Sequence, residues 1–322
     1  MIEVDQLSMT YRVPVRASGL GAAVRSLFKR QFRMVEALQA LSFQVEAGEI
    51  VGFLGPNGAG KTTTLKILSG ILHPTSGSAR VLGAVPWRRE NSFLRQIAMV
   101  RGSRPISVPS ELTVLDALNF QKLVYEVPDD AFKRNLAELV ELLDLEPLLG
   151  RQVRALSLGE RMRAGLAWSL IYRPRVLFLD EPTIGLDVEA VTRMRRFIAD
   201  YRLQTGATIL LTSHYMSDLE ALTQRLIVIN AGKLAYDGPL AALGERLVPY
   251  KLIRVSFANQ PQIDWSRFGE VIELDSARAC LRIERQQVSH VTARLLESAV
   301  INDLSVADPS LEEVIGLVYQ GA

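Results

Sequence analysis

The run Gly55-Pro56-Asn57-Gly58-Ala59-Gly60-Lys61-Thr62-Thr63 constrains this chain more than any other stretch. Its G-x-x-x-x-G-K-T spacing predicts a glycine-rich turn whose backbone N–H groups curl around phosphate oxygens. In such a turn Lys61 neutralises the β/γ end of a nucleoside triphosphate, and the Thr62 hydroxyl reaches Mg²⁺. The flanks agree with this reading. Ile50-Val51-Gly52-Phe53-Leu54 is a short buried strand by pattern, and Thr63 to Leu72 reads as a helix with Leu65, Leu68 and Leu72 on one side. That helix starts at the phosphates, where its dipole favours negative charge. A glycine turn that matches by coincidence would lack the strand before it and the helix after it.

A second apolar run, Val176-Leu177-Phe178-Leu179, ends in Asp180-Glu181. Four bulky apolar residues in succession suit a strand covered on both faces of a parallel sheet. Ligand-binding loops gather at the carboxyl ends of such strands, which puts Asp180 near the metal and Glu181 near the attacking water. As a general base, Glu181 would contribute roughly 10²–10⁴-fold in rate. The bland alternative is an acidic pair that merely ends a strand. His214 follows Ala207-Thr208-Ile209-Leu210-Leu211, a third core strand by pattern, so its loop falls at the same edge. A lone histidine is otherwise a surface or core residue.

Composition sets the remaining bounds. The chain has 322 residues, enough for one large and one small domain, and 48% hydrophobic with 22% charged residues is ordinary for a protein with a substantial core. A net charge of +2 gives no compositional sign of a nucleic-acid binder. The single cysteine, Cys280, excludes an intramolecular disulfide and a zinc-binding cysteine cluster; it reads as a small buried apolar side chain. No uninterrupted apolar run is long enough to span a bilayer and no secretory start is present, so any membrane role is expected to run through a partner.

Between the two phosphate-site motifs lies Leu156-Ser157-Leu158-Gly159-Glu160-Arg161, before a predicted helix through Leu170. The order of phosphate loop, L-S-x-G-E, apolar-DE-P-T-x-G-L-D and T-S-H resembles the ATP-binding subunit of an ABC transporter over roughly the first 240 residues. The resemblance implies a P-loop NTPase of α/β class, with a mixed sheet core plus a helical subdomain. It implies ATP and Mg²⁺ as cofactors, and an ATP-dependent dimer of the chain with itself or with a related subunit. Tyr11 matches the aromatic residue that stacks on adenine, a contact worth ~1–3 kcal/mol by analogy with base stacking. Ser157 and Gly159 match the signature that closes on the γ-phosphate held by the opposite subunit. Asp187, in Thr183-Ile184-Gly185-Leu186-Asp187, matches the loop that crosses the dimer interface, and His214 the residue that contacts γ-phosphate and orders the catalytic Glu181.

The sequence departs from that family in two places. Leu158 stands where glycine is common and Glu160 where glutamine is common; backbone donation survives a leucine unless φ must be positive. After the strand-like Gln96-Ile97-Ala98-Met99-Val100, the family carries a glutamine that reaches Mg²⁺ and hinges the helical subdomain. This chain has Arg101-Gly102-Ser103-Arg104-Pro105 instead. Ser103 can approach a metal only through water, so coupling between metal site and helical subdomain is expected to be loosened. Recruiting Gln96 by realignment would interrupt the strand.

Three further regions organise the chain. Residues 105–172 read as the helical subdomain, with Leu118, Leu123, Leu136, Leu139, Val140, Leu142 and Leu143 on apolar faces that read as core, and a helix start at Pro128-Asp129-Asp130. Residues 12–35 form an insertion whose bases Arg12, Arg16, Arg25, Lys29, Arg30 and Arg33 meet no acid before Glu36; Leu20, Val24, Leu27 and Phe28 fall near helical spacing. Such a helix either packs on the domain edge or touches anionic lipid or a membrane subunit, at ~1 kcal/mol per base. Residues 241–322 read as a small α+β domain, ferredoxin-like, that props a dimer or senses a ligand. The insertion and the ending Asp308-Pro309-Ser310-Leu311-Glu312-Glu313-Val314 resemble the ABC-2-type export branch. That resemblance implies separate transmembrane permease subunits as partners, with the ATPase domain of residues 1–240 peripheral on the cytoplasmic face of the cell membrane. An importer ATPase with a regulatory C-terminal domain and a non-transport ABC switch remain as alternatives. A nucleic-acid ABC protein would carry a second phosphate loop or a long coiled coil.

Overall fold

Apolar runs of two kinds, alternating and continuous, build two kinds of sheet. The computed structural model describes residues 1–14, 32–103, 106–247, 250–258, 261 and 263–321. They form two compact units, Met1–Asp237 and Gly238–Ala322.

In the first unit, the half-polar strands β1 (Ile2–Pro14) and β2 (Phe32–Val45) make a long antiparallel hairpin. After β3 (Ile50–Leu54) and helix α1 (Lys61–Leu68), strand β4 (Ser76–Val81) closes this three-stranded sheet on the far side of β1. Their inward residues Ile2, Val4, Leu41 and Phe43 share one core with Phe53, Leu65, Leu68 and Phe178. Each such side chain contributes about 1.5–3 kcal/mol by leaving water. The predicted helix through Leu72 is shorter than expected, because Ser69 and Gly70 turn the chain after Leu68 and leave Leu72 outside the helix.

The second sheet of this unit carries the continuous apolar strands. A one-turn helix α2 (Asn91–Leu94) leads into β5 (Ile97–Arg101). Helices α3 (Val114–Val124), α4 (Asp129–Leu143) and α5 (Leu158–Leu170) follow, then β6 (Val176–Asp180), α6 (Val188–Thr205), β7 (Thr208–Thr212), α7 (Met216–Leu222), β8 (Arg225–Asn230) and β9 (Lys233–Pro239). The strand order is β5-β6-β7-β3-β8-β9, and the pairs from β5 through β8 are parallel. Every residue of β6 and β7 is buried, as a strand covered on both faces requires.

The helical segment orders itself by caps and stripes. Thr113 and Asp116 make a reciprocal capping box at the start of α3. Helix α4 starts after Pro128 with Asp129 and Asp130 in its first turn, and buries Phe132, Asn135, Leu139 and Leu143. Leu118, Leu139 and Leu143 take core positions, but Leu123 does not: it is 72% exposed, beside the exposed Phe120 and Val124 on α3. The insertion also differs from expectation at its ends. Arg12–Pro14 and Phe32–Val35 are paired β-structure that lengthens the hairpin, with the Arg12 guanidinium over the Phe32 ring at 3.8 Å. The predicted basic helix of Leu20, Val24, Leu27 and Phe28 lies outside the described residues.

The second unit starts with α8 (Leu240–Leu247) and contains β10 (Tyr250–Ser256), β11 (Glu270–Leu274), β12 (Arg278–Glu284), α9 (Val288–Ser298), β13 (Asp303–Ala307) and α10 (Leu311–Gly321). Its sheet is antiparallel in the order β11-β12-β10-β13. This keeps the strand succession of a ferredoxin-like unit, but the first crossover holds a single 3₁₀ turn, Trp265–Arg267, in place of a helix. Trp265 from that turn and Phe268 just after it pack with Ile253, Leu281 and Leu295 in a separate core. Among the described residues, no helix is long and apolar enough to cross a membrane.

Candidate active site

The register of the parallel sheet gathers three loops. Gly52 of β3 lies opposite Leu211 of β7, and Asp180 at the end of β6 lies opposite Thr212. The loops after β3, β6 and β7 therefore leave the same edge of the sheet, where the strand order switches direction. The phosphate loop Gly55 to Thr63 occupies the first of these positions. Gly60, the N-cap of α1, has φ +107, and a Cβ there would meet the Ala37 carbonyl oxygen at 2.5 Å, so only glycine fits. The first turn of α1 leaves the N–H groups of Lys61, Thr62 and Thr63 without acceptors inside the helix. Pro56, Asn57, Gly58, Gly60, Lys61, Thr62 and Thr63 line one cleft together with Ala37 and Glu181. Ala59 is buried beneath it.

Lys61 is only 7% exposed, and its ammonium donates to the carbonyls of Gly55 at 2.5 Å and Pro56 at 3.3 Å. Burial pushes this ammonium below its ordinary pKa, against the opposing pull of the Glu181 and Asp180 carboxylates. A cation held among carbonyls at the floor of an N–H-lined turn is a site built for an anion.

Asp180 is 8% exposed and fully engaged by hydroxyls. Its Oδ2 accepts from Thr62 Oγ1 at 2.9 Å and its Oδ1 from Thr212 Oγ1 at 2.9 Å. One carboxylate and one hydroxyl suit Mg²⁺, a hard ion that takes few protein ligands and completes its shell with water and phosphate. Among the described residues, no three His, Cys, Asp or Glu side chains form a metal-holding group of their own.

Glu181 has φ +56, a left-handed backbone that costs a non-glycine residue about 1–2 kcal/mol. Its N–H donates to both the carbonyl and the hydroxyl of Thr212, at 3.1 and 3.0 Å, which holds the strained backbone in place. The carboxylate is 25% exposed and its Oε1 lies 2.7 Å from His214 Nε2. The spacing that suggested Glu181 and His214 separately did not reveal that they touch. Tyr11, on β1, sets its hydroxyl 3.4 Å from Thr63 Oγ1, at the rim of the same loop.

Ser157, Gly159 and Asp187 are elsewhere. Ser157 N-caps α5: its Oγ accepts from the Glu160 N–H at 3.3 Å, while Glu160 Oε2 accepts from the Ser157 N–H at 2.7 Å. Glu160 thus completes a capping box, a task in which glutamate and glutamine are interchangeable. Asp187 N-caps α6 by accepting from the Ala190 N–H at 2.8 Å. These three residues line a second cleft with Leu158, Gly185 and Leu186, and it shares no residue with the first. Ser103 is exposed; the Gly102 N–H before it donates to the Asp180 carbonyl at 2.9 Å. Gln96 sits at the opposite end of β5, bonded to Ser92 and Arg175. Sequence reasoning missed Thr212, although it stands in the quoted Thr-Ser-His run, and Asp218, which no motif marks.

Comparison with known proteins follows the same outline. The family described as ABC transporter matches residues 38–184, and the C-terminal domain of EvrA-like ABC transporters matches residues 249–307. The bacitracin transport ATP-binding protein BcrA of Bacillus licheniformis is 32% identical over 225 residues, 70% of this chain and 72% of its own. A Nod factor export ATP-binding protein I of Burkholderia orbicola is 36% identical over 68% of this chain and 71% of its own. The doxorubicin resistance ATP-binding protein DrrA of Mycobacterium tuberculosis is 35% identical over 66% and 63%. Among solved structures, the ATP-binding subunit of an ABC transporter superposes with TM-score 0.63 at 24% identity, covering 76% of this chain and 92% of its own. A dimeric ATP-binding cassette with ADP and Pi bound gives TM-score 0.61 at 19% identity over 74% and 98%. These two share the fold. Together with the phosphate loop and the Asp180–Glu181 strand end, the sequence relatives place this chain in the family of ABC transporter ATP-binding proteins, ATP-hydrolysing subunits whose relatives here are named for transport, export and resistance.

Proposed function

We propose that this chain binds Mg-ATP between two ABC cassettes, its own and that of a second copy or a related subunit, and that closure of the pair drives separate transmembrane subunits of an exporter. One observation supports the reading: the phosphate loop lines one cleft, and Ser157, Gly159 and Asp187 line another that shares no residue with it. In a twofold pair each supplies what the other lacks. The α5 N-terminus at Ser157 and Gly159 then covers the γ-phosphate of the opposite site with N–H groups and a helix dipole. Asp187 reaches across from the start of α6.

Within one half-site, Tyr11 takes the adenine face, with Val35 paired beside it on β2. The N–H groups of residues 58 to 63 and the Lys61 ammonium hold the phosphates. Thr62 and Asp180 would hold Mg²⁺, which when bound would neutralise phosphate charge. Glu181 orients a water and takes its proton, and His214 keeps one Glu181 oxygen occupied so that the other stays free for that proton. Loss of the shared γ-phosphate charge then releases the two surfaces, a ligand-driven movement of rigid bodies.

The cargo path belongs to the transmembrane partners, with this chain peripheral at the cytoplasmic face. Relatives named for bacitracin transport, Nod factor export and doxorubicin resistance favour export. The exposed Phe120, Leu123 and Val124 on α3 are the surface we assign to those partners, and the bases of the 12–35 insertion add affinity for anionic lipid. The test is ATP turnover by the full-length chain against Glu181→Gln. A loss of roughly 10²–10⁴-fold in kcat with nucleotide binding retained is expected. Equal turnover by the two proteins refutes the assignment.

A further inference from the structure

One buried carboxylate near the site is used by none of the steps above. Asp218, in the first turn of α7, is 1% exposed and collects side chains from three separate segments. Its Oδ2 accepts from Thr183 Oγ1 at 2.5 Å and from Ser213 Oγ at 2.6 Å. Its Oδ1 accepts from Arg195 Nε on α6 at 2.7 Å, with Nη2 of the same guanidinium 2.6 Å away and donating to Ser217 Oγ at 2.8 Å. Thr183 stands two residues after Glu181, and Ser213 immediately before His214. Both are buried, 1% and 4% exposed. Ser213 Oγ also accepts from the Tyr215 N–H at 3.0 Å, which pins the loop on the other side of His214.

The chains that carry Glu181 and His214 are therefore fastened to the same carboxylate, on the buried side of the contact those two residues make at 2.7 Å. Arg195 adds the third attachment. It lies eight residues after Asp187, about two turns along α6, so α6 carries the proposed cross-interface residue at its start and a guanidinium clamp further on. A charge-assisted guanidinium–carboxylate contact is strong, and a fully satisfied buried network holds one geometry.

We propose that Asp218 is a positioning residue for the hydrolytic pair. It sets the separation of Glu181 and His214 and ties it to the orientation of α6, so that engagement of Asp187 across a dimer is felt at the water-activating carboxylate. Asp218 is 1% exposed with both oxygens engaged, so it acts through His214 and Glu181. The inference rests on the hydrolysis reading above, and its test separates the two.

The experiment uses the full-length chain, with steady-state ATP kinetics, ADP affinity and thermal unfolding for each variant. Asp218→Asn keeps the volume but removes one acceptor oxygen. Its kcat is expected to fall about tenfold or more, while KM and ADP affinity stay within about threefold, because the phosphate loop is untouched. The combination Asp218→Asn with His214→Ala should be slower than His214→Ala alone by clearly less than the factor that Asp218→Asn costs in the parent, since residues acting through one another are not additive. Should Asp218→Asn fail to fold, Ser213→Ala removes a single donor and is expected to lower kcat severalfold with the same non-additivity. The proposal is overturned if Asp218→Asn, or Ser213→Ala in its place, hydrolyses ATP within twofold of the parent, or if its loss multiplies that of His214→Ala. A merely structural role lowers the unfolding temperature and leaves the kcat of the folded protein intact. Turnover that is insensitive to Glu181→Gln removes both readings; a failure confined to the Asp218 and Ser213 variants removes this one alone.

Discussion

The departure at residues 101–105 has a geometric counterpart that a single methyl group can probe. Gly102 follows β5 and packs against the strained loop after β6: a Cβ built on it would lie 2.0 Å from the Glu181 carbonyl oxygen and 2.6 Å from Ile184 Cγ2. Its N–H is already committed to the Asp180 carbonyl at 2.9 Å, so the glycine backbone cannot retreat without losing that bond. Gly102→Ala must then push the Glu181 peptide by about 1 Å to restore ordinary contact in a close-packed interior. Glu181 has little room to comply, because its left-handed backbone is held by two bonds to Thr212. Overpacking of this kind costs about 1–3 kcal/mol, offset by roughly 0.4–1 kcal/mol from the stiffer unfolded chain. A 1 Å displacement of a catalytic group lowers kcat by about 10²-fold. ATP affinity should hold, since the added Cβ meets Glu181 and Ile184 and touches neither Lys61 nor Gly60. Stopped-time phosphate release at saturating Mg-ATP measures the rate, and thermal unfolding confirms that the variant is folded. A Gly102→Ala protein with kcat within twofold of the parent refutes the reasoning, and with it the view that this loop couples to Glu181 through backbone contact where Ser103 is too short to do so by side chain.

Further outcomes follow from the same geometry. Tyr11→Ala should weaken ATP binding by ~1–3 kcal/mol, while Tyr11→Phe, which loses only the 3.4 Å contact to Thr63, should stay near the parent; equilibrium titration with ATP analogues separates stacking from hydrogen bonding. Glu160 is held below the ordinary carboxylate pKa first by the Ser157 N–H, and then by hydrogen bonds from Arg151 and Ser157. A depressed folded value means that its contribution is complete above the unfolded value of about 4.3 and is lost as pH falls through the folded value. Thermal unfolding of the parent should therefore decline relative to Glu160→Gln as pH drops below that point, and parallel curves would contradict the capping-box account.

Much of this site was legible because its chemistry sits on short contiguous runs. The phosphate loop, Asp180-Glu181 and Thr212-Ser213-His214 each follow a strand that apolar pattern alone identifies, and parallel pairing brings their ends to one edge. What the sequence hid was pairwise. The link of His214 to Glu181 came only with the family resemblance, and the hold of Thr212 on Asp180 and the Asp218 cluster not at all; each joins residues of different segments, and no spacing within one segment encodes them. Leu123 shows the converse limit. Helical periodicity placed it on an apolar face of α3 but could not say whether that face meets the core. In the second unit, alternation located the four strands, while the crossover at Trp265–Arg267 was invisible because a 3₁₀ turn has no repeating pattern.

The central claim is that ATP is shared by two cassettes, and it is tested most directly by the mass of the Glu181→Gln protein in solution. Sedimentation velocity with Mg-ATP should give twice the mass found with Mg-ADP, and a Gly159→Glu change on the Ser157 surface should abolish the difference. A single mass under both nucleotides, with ATP demonstrably bound, would contradict a pair of identical cassettes.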